Sequence, residues 1–122
     1  MSNDDGQRRY DLEDRTAKFG EAAIDFASTL PRNPISSPLI SQFVRSATSV
    51  GANYCEADDA ESRRDFRHKI AICRKEARET KHWLRMIARA VPDSKDRARG
   101  LWQEVKELHL ILSKILRNTK LD

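Results

Sequence analysis

The residues of this chain best suited to chemistry are cations. Arg67, Arg74, Arg78, Lys81, Arg85 and Arg89 recur at intervals of three, four or seven residues, and at about 100° per residue they share one flank of a helix. Arg63 and Arg64 stand at the start of the same stretch. Guanidinium and ammonium groups presented at such regular spacing bind phosphate backbones through charge neutralisation and counterion release, and arginine adds bidentate geometry. The competing use of long basic side chains is structural: their alkyl stems cover an apolar seam while the charges stay in water.

Other chemistries find less support. Glu79-Thr80-Lys81-His82 has the Glu-x-x-His spacing of di-iron bundle proteins. His82 projects roughly opposite the packing seam described below, no second such motif occurs, and His68 and His109 stand alone. No metal site, and no cofactor, is therefore expected within one chain. No nucleophile is paired in the sequence with a recognisable base, so no catalytic residue is assigned and the chain does not read as an enzyme. No helix-turn-helix, zinc or RNA-recognition motif is visible, which argues against sequence-specific readout.

The element that carries the cations is a long helix expected from Arg63 to Ala90. Phe66, Ile70, Cys73, Ala77, Thr80, Leu84, Ile87 and Val91 alternate by four and three, the seam of a helix packed in a bundle. Ser62 followed by Asp65 reads as its capped start, and Pro92 ends it. Ten Lys/Arg face three acids in this stretch, a local balance of +7, whereas the whole chain carries +4 and the remainder is thus −3. Such asymmetry calls for an electrostatic partner or for acidic neighbours.

Three further helices complete the pattern. Leu12, Phe19, Ala23, Phe26 and Leu30 repeat helically after Asp11, a candidate N-cap, and stop at Pro31. Asp14, Glu21 and Asp25 lie on the outer face of this first helix and are the obvious internal counterpart to the cations. Pro31 to Pro38 must turn, with Ser37 as the next N-cap and Pro38 at the first helical position. The second helix runs to about residue 58 with only Arg45 and Glu56 charged between Leu39 and Ala57, which predicts that its neighbours largely enclose it. A fourth helix, capped by Asp93 and running to about Asn118, repeats Leu101, Val105, Leu108, Leu112 and Ile115. With short links and no strand-like alternation, the fold class is all-α, an antiparallel up-down four-helix bundle.

Antiparallel pairing of the second and third helices about residue 60 brings Arg45 near Glu76 or Glu79, and Glu56 near Arg63, Arg64 or Arg67. Arg45, Asn53, Glu56 and Glu79 are accordingly expected to form a structural polar network, of the kind that fixes register more than it adds stability. Ile72, Trp83, Met86 and Ala90 make a second apolar flank on the basic helix. A bundle helix needs one buried stripe, so the second implies extra burial within the chain or contact with another subunit.

The 122 residues suit a single domain, expected over residues 10–119 behind a loose polar tail at residues 1–9. Cys55 and Cys73 have no paired spacing, and no positive-then-apolar leader precedes them. The apolar stretches fall short of the ~18 residues that span a bilayer. A soluble protein of a reducing cytoplasm, with no membrane partner, is the expectation.

The strings Arg45-Ser46-Ala47-Thr48-Ser49-Val50-Gly51-Ala52-Asn53-Tyr54, Glu56-Ala57, Asp65-Phe66, Ile72-Cys73-Arg74-Lys75-Glu76-Ala77, Glu79-Thr80 and Trp83-Leu84 resemble the bacterial four-helix-bundle proteins first noticed as products of intervening sequences in ribosomal RNA genes. Tyr10 to Arg15 and Phe19 fit the opening of that family. The resemblance implies an up-down bundle assembling as a ring-shaped homo-oligomer, in known relatives a pentamer, with a basic surface. The chain is similar also to the accessory variability determinant of diversity-generating retroelements, which implies nucleic acid and a reverse transcriptase as partners.

Two functions remain compatible with these readings. One is a nucleic-acid-binding accessory protein using Arg63, Arg64, Arg67, Arg74, Arg78, Lys81 and Arg85, with Ile72, Trp83 and Met86 at an oligomer interface. The other is a protein-interaction scaffold whose basic face is neutralised by the acids of the first helix, in the same or an adjacent subunit, or by a protein partner.

Overall fold

The computed structural model describes residues 3–121, with side chains from residue 11 onward. Four helices follow one another: α1 (Asn3–Ser28), α2 (Ser36–Asp58), α3 (Arg63–Ala90) and α4 (Lys95–Asn118), the last preceded by a 3-10 turn at Pro92–Ser94. Among the described residues there is no strand. The helix periodicities translate directly into a core. Leu12, Phe19, Ala23, Phe26 and Leu30 of the first run are buried, as are Ile70, Cys73, Ala77, Thr80, Leu84 and Ile87 of α3. In α4, Val105, Leu108 and Leu112 are buried, with Leu116 rather than Ile115 closing the seam.

Cross-helix pairs show that every neighbouring helix runs antiparallel. Phe26 meets Phe43 edge to face at 5.8 Å, while nearer the other end of the same pair Gly51 lies against the backbone of Thr16. A Cβ at position 51 would stand 3.3 Å from the Thr16 carbonyl oxygen, so glycine sets the close approach of α1 and α2. Arg45 reaches Glu76 and Lys69 reaches Glu56 across α2 and α3. Arg15 reaches Glu104, and Arg97 lies over Phe26, across α1 and α4. Among the described residues the backbone of α1 comes close to those of α2 and α4 and not to that of α3. The two are therefore diagonal in an up-down bundle.

That diagonal corrects one expectation. Asp14, Glu21 and Asp25 are exposed on α1 and do not reach the cations of α3 within the protomer. Helix boundaries differ as well. The backbone of α1 is helical from Asn3 instead of starting at Asp11, through most of the segment expected as a loose tail; Met1 and Ser2 lie outside the described residues. Gln7, Arg8 and Arg9 are good helix formers, and extending an existing helix requires no new nucleus.

Capping also departs from expectation at α2. The Asn33 side-chain oxygen accepts from the Ile35 and Ser36 amides, both at 2.9 Å. Ser36 in turn donates to the Pro31 carbonyl and accepts from the Asn33 amide. An asparagine turn thus does the work assigned to Ser37, and Pro38 falls two positions inside the helix start, where its missing N–H still costs nothing. Asp93 lies in the 3-10 turn and does not cap α4. At α3 the Ser62 hydroxyl accepts from the Asp65 amide as the sequence indicates.

Helix α2 is less enclosed than its lack of charge suggested: Ser41, Gln42, Ala52 and Cys55 join Arg45 and Glu56 on an exposed face. An outer face needs only to tolerate water, and small or uncharged polar residues do so. No described helix is long and apolar enough to cross a membrane.

Candidate nucleic-acid interface

Of the expected polar network, one part forms. The Arg45 guanidinium donates to Glu76 at 3.2 Å and to Glu79 at 2.6 Å. Glu76 is nearly buried at 9% exposure, so Arg45 balances a carboxylate that water reaches poorly. Beneath it the hydroxyls of Ser46 and Thr80 meet at 2.9 Å in the core. Asn53 does not join: its amide donates to the Ser49 carbonyl of its own helix. Glu56 pairs with Lys69 at 3.3 Å rather than with Arg63, Arg64 or Arg67, because the side chain of Lys69 faces α2 while the arginines point outward. This arrangement fixes the register of α2 against α3.

The cations of the stripe behave differently. Arg67, Arg74, Arg78, Arg85 and Arg89 are exposed and Lys81 is half-buried. Among the described residues none of them is paired with a carboxylate, and neither are Arg63 and Arg64; Arg63 donates to the Lys120 carbonyl. Four of the acids of α3 and α4 are held elsewhere. Glu76 and Glu79 turn to Arg45, and Glu104 and Glu107 turn to Arg15 at 2.8 and 2.7 Å on the α1 side.

A second cationic row, missed at the sequence level, lies on α4. Lys95, Arg99, Trp102, Lys106 and His109 are spaced by four, three, four and three, one face of the helix. Their spacing was available in the sequence, but only the pairing of α4 with α3 sets the two rows side by side. Lys81 lies 5.8 Å and Lys106 5.5 Å from the centre of the Trp102 ring, contacts worth about 0.5–1 kcal/mol each at an open site. The His109 pKa is lowered, first by burial and then by the charges of Lys81, Arg74 and Arg78. An imidazole on α4 thus senses the positive potential of α3.

Between the rows lies an open groove of about 290 Å³ lined by Leu84, Arg85, Ala88, Lys95, Ala98, Arg99, Trp102 and Gln103, with no carboxylate. The groove on the α1 side, about 320 Å³, contrasts with it: Asp14 and Glu104 line that groove, and its Arg15 and Lys18 are already paired. Charge is therefore segregated across the bundle, and the α3–α4 face can attract a polyanion.

The second apolar flank is shared between uses. Trp83 packs on the core from a half-buried position, its ring edge-on to His82, and its indole N–H is buried without an acceptor among the described residues. Ile72 and Met86 are half-buried and lie outside that core packing. Glu79 and the exposed His82 do not converge with other ligand types, and no cluster of three or more His, Cys, Asp or Glu side chains suited to a metal occurs among the described residues.

The described residues thus form an all-α bundle with a basic groove whose lining holds no carboxylate. Residues 9–114 match the 23S rRNA-intervening sequence protein family, to which the chain belongs. Its fold is similar to the crystal structure of a protein of unknown function from the S23 ribosomal protein family of Bacteroides thetaiotaomicron VPI-5482, at 28% identity and a TM-score of 0.82, over 90% of this chain and 98% of that one. No curated protein matches it.

Proposed function

We propose that the protein is a non-enzymatic accessory factor of the cytoplasm that binds RNA or DNA with little sequence preference through the α3–α4 face, as a homo-oligomer. The observation that carries this reading is that, among the described residues, Arg67, Arg74, Arg78, Lys81 and Arg85 have no carboxylate partner, while the acids of α1 stand on the diagonal helix. The family's association with 23S rRNA intervening sequences supports a nucleic-acid context. A homo-oligomeric ring, five-fold as in the resemblance, would repeat the face and strengthen weak contacts through multivalency. A reverse transcriptase or another protein would then be a second partner rather than the ligand of the basic face.

The exposed Glu21 and Asp25, neither of which forms an ion pair among the described residues, favour one competing reading. In it, an adjacent subunit lays its α1 on the basic face and the assembly is a scaffold. Fluorescence anisotropy with labelled RNA and DNA over a salt series separates the two. Binding should weaken with salt, with a log–log slope of about −0.7 per neutralised phosphate on single strands or −0.9 on duplex. Arg74→Glu/Arg78→Glu should abolish most of it, whereas Lys18→Glu/Arg32→Glu, the same charge change away from the groove, should not. Absent binding at low salt, or equal loss in both variants, would leave the scaffold.

A further inference from the structure

We propose that the α3–α4 groove takes single-stranded nucleic acid in preference to duplex, with an unpaired base stacked on Trp102. The inference rests on the nucleic-acid reading of the same face and adds a ligand class to it. Trp102 is half-buried, packed on the core along one part and open to the groove along another. Lys81 of α3 and Lys106 of α4 stand near its ring, Arg85, Lys95 and Arg99 are the cations that line the groove, and next to it are the small apolar side chains of Ala88 and Ala98.

This combination suits a strand whose bases are free. Sequence-tolerant binding of single strands joins a positive track for phosphates to aromatic faces for bases. The groove, at about 290 Å³, sits at the small end of ligand pockets, which suits one flat ring system and not the width of a helix. A duplex keeps its bases stacked inside and would meet Trp102 only with sugar and phosphate, covering an aromatic face without replacing its contacts. An unpaired base supplies that replacement. The two lysines now on the ring are long and flexible, and phosphates flanking the stacked base give them stronger partners than the ring. Trp83, the other tryptophan, lies on the opposite flank of α3 and does not line this groove.

The test uses the full chain at low salt with three labelled probes of equal phosphate count: a single strand, a duplex, and a strand made of abasic units. The single strand should bind most tightly, and loss of bases should weaken binding by about 5- to 150-fold for one stacked position. Tryptophan fluorescence should be quenched by the base-containing strand and not by the abasic one. Trp102→Leu should bind all three probes at the abasic level, and Trp102→Phe should retain part of the preference. Should Trp102→Leu fail to fold by circular dichroism, the abasic comparison on the unaltered protein still decides. Equal affinity for the base-containing and abasic strands, or an unchanged preference in folded Trp102→Leu, overturns the stacking proposal while leaving charge-driven binding in place. No binding of any probe by the unaltered protein overturns both.

Discussion

Replacing Arg15 by methionine tests the side of the bundle where the chain closes on itself. Helices α1 and α4 are the first and last in sequence, and Arg15 joins them by donating from Nε and Nη2 to both Glu104 oxygens at 2.8 Å, with a further 2.7 Å bond to Glu107. A buried charged hydrogen bond contributes about 1.5–3 kcal/mol net, and an exposed ion pair about 0.2–1 kcal/mol. The Arg15 and Glu104 side chains are 36% and 34% exposed, so solvent screening lowers the buried figure, while the bidentate fork geometry keeps the pair above an ordinary surface one. A coupling of about 1–2 kcal/mol is expected, or roughly 4–8 °C in Tm for a chain of this length. The assay is a double-mutant cycle of Arg15→Met and Glu104→Gln by urea unfolding. Its pH dependence has a definite sign. The hydrogen bond from Arg15 is the largest influence on Glu104 and, with its charge, holds the carboxyl below the ordinary 4.5 against the opposing effect of burial. A carboxylate with a lowered folded pKa stabilises fully above its unfolded value, and that contribution fades as pH falls through the folded value. The coupling should hold from pH 7 to near 4.5 and shrink beneath it. A coupling under about 0.5 kcal/mol at pH 7, or one unchanged at about pH 3, would refute the clamp.

Two further outcomes are open to simple measurement. Met86→Glu should reduce the mass of the proposed homo-oligomer in light scattering more than Arg85→Glu does, because a charge placed in a desolvated seam lacks a partner; a monomer mass for the unaltered protein at micromolar concentration would remove that interface. Cys73 is buried in the core with its thiol pushed up to about 12 by burial, whereas Cys55 is exposed. One thiol per chain should therefore react promptly with a disulfide reagent in the folded protein and two after denaturation, and prompt reaction of both would contradict the packing of α3.

The arrangement that emerges separates two tasks within α3. Its α2 side holds register through Arg45, Glu76 and Glu79, and its α4 side holds cations that have no carboxylate partner among the described residues. Glu104 and Glu107 of α4 lie on the α1 side, paired with Arg15.

The sequence by itself determined the helices and what each must bury. Residues such as Ile70, Cys73, Ala77, Leu84 and Ile87 recur with the helix period, and any packed arrangement has to cover that stripe. The Ser62 cap and the approach of Arg45 to Glu76 and Glu79 were legible for a similar reason, since both follow from local spacing or from one short link between antiparallel helices. The diagonal of α1 and α3 is implicit in the up-down order that the short links already specify; what the amphipathic stripes leave open is how far an exposed side chain reaches round its neighbours. The tertiary structure showed that Asp14, Glu21 and Asp25 do not reach round to the cations of α3 within the protomer. It also gave Glu56 to Lys69, since one residue of register decides which of several nearby cations comes within reach. The asparagine turn before α2 depends on a loop conformation that side-chain pattern alone does not fix. Lys95, Arg99, Trp102 and Lys106 lay in plain spacing along α4, but they became half of a groove only when packing set them against Arg74, Arg78, Lys81 and Arg85, because a surface made by two helices belongs to neither sequence segment alone.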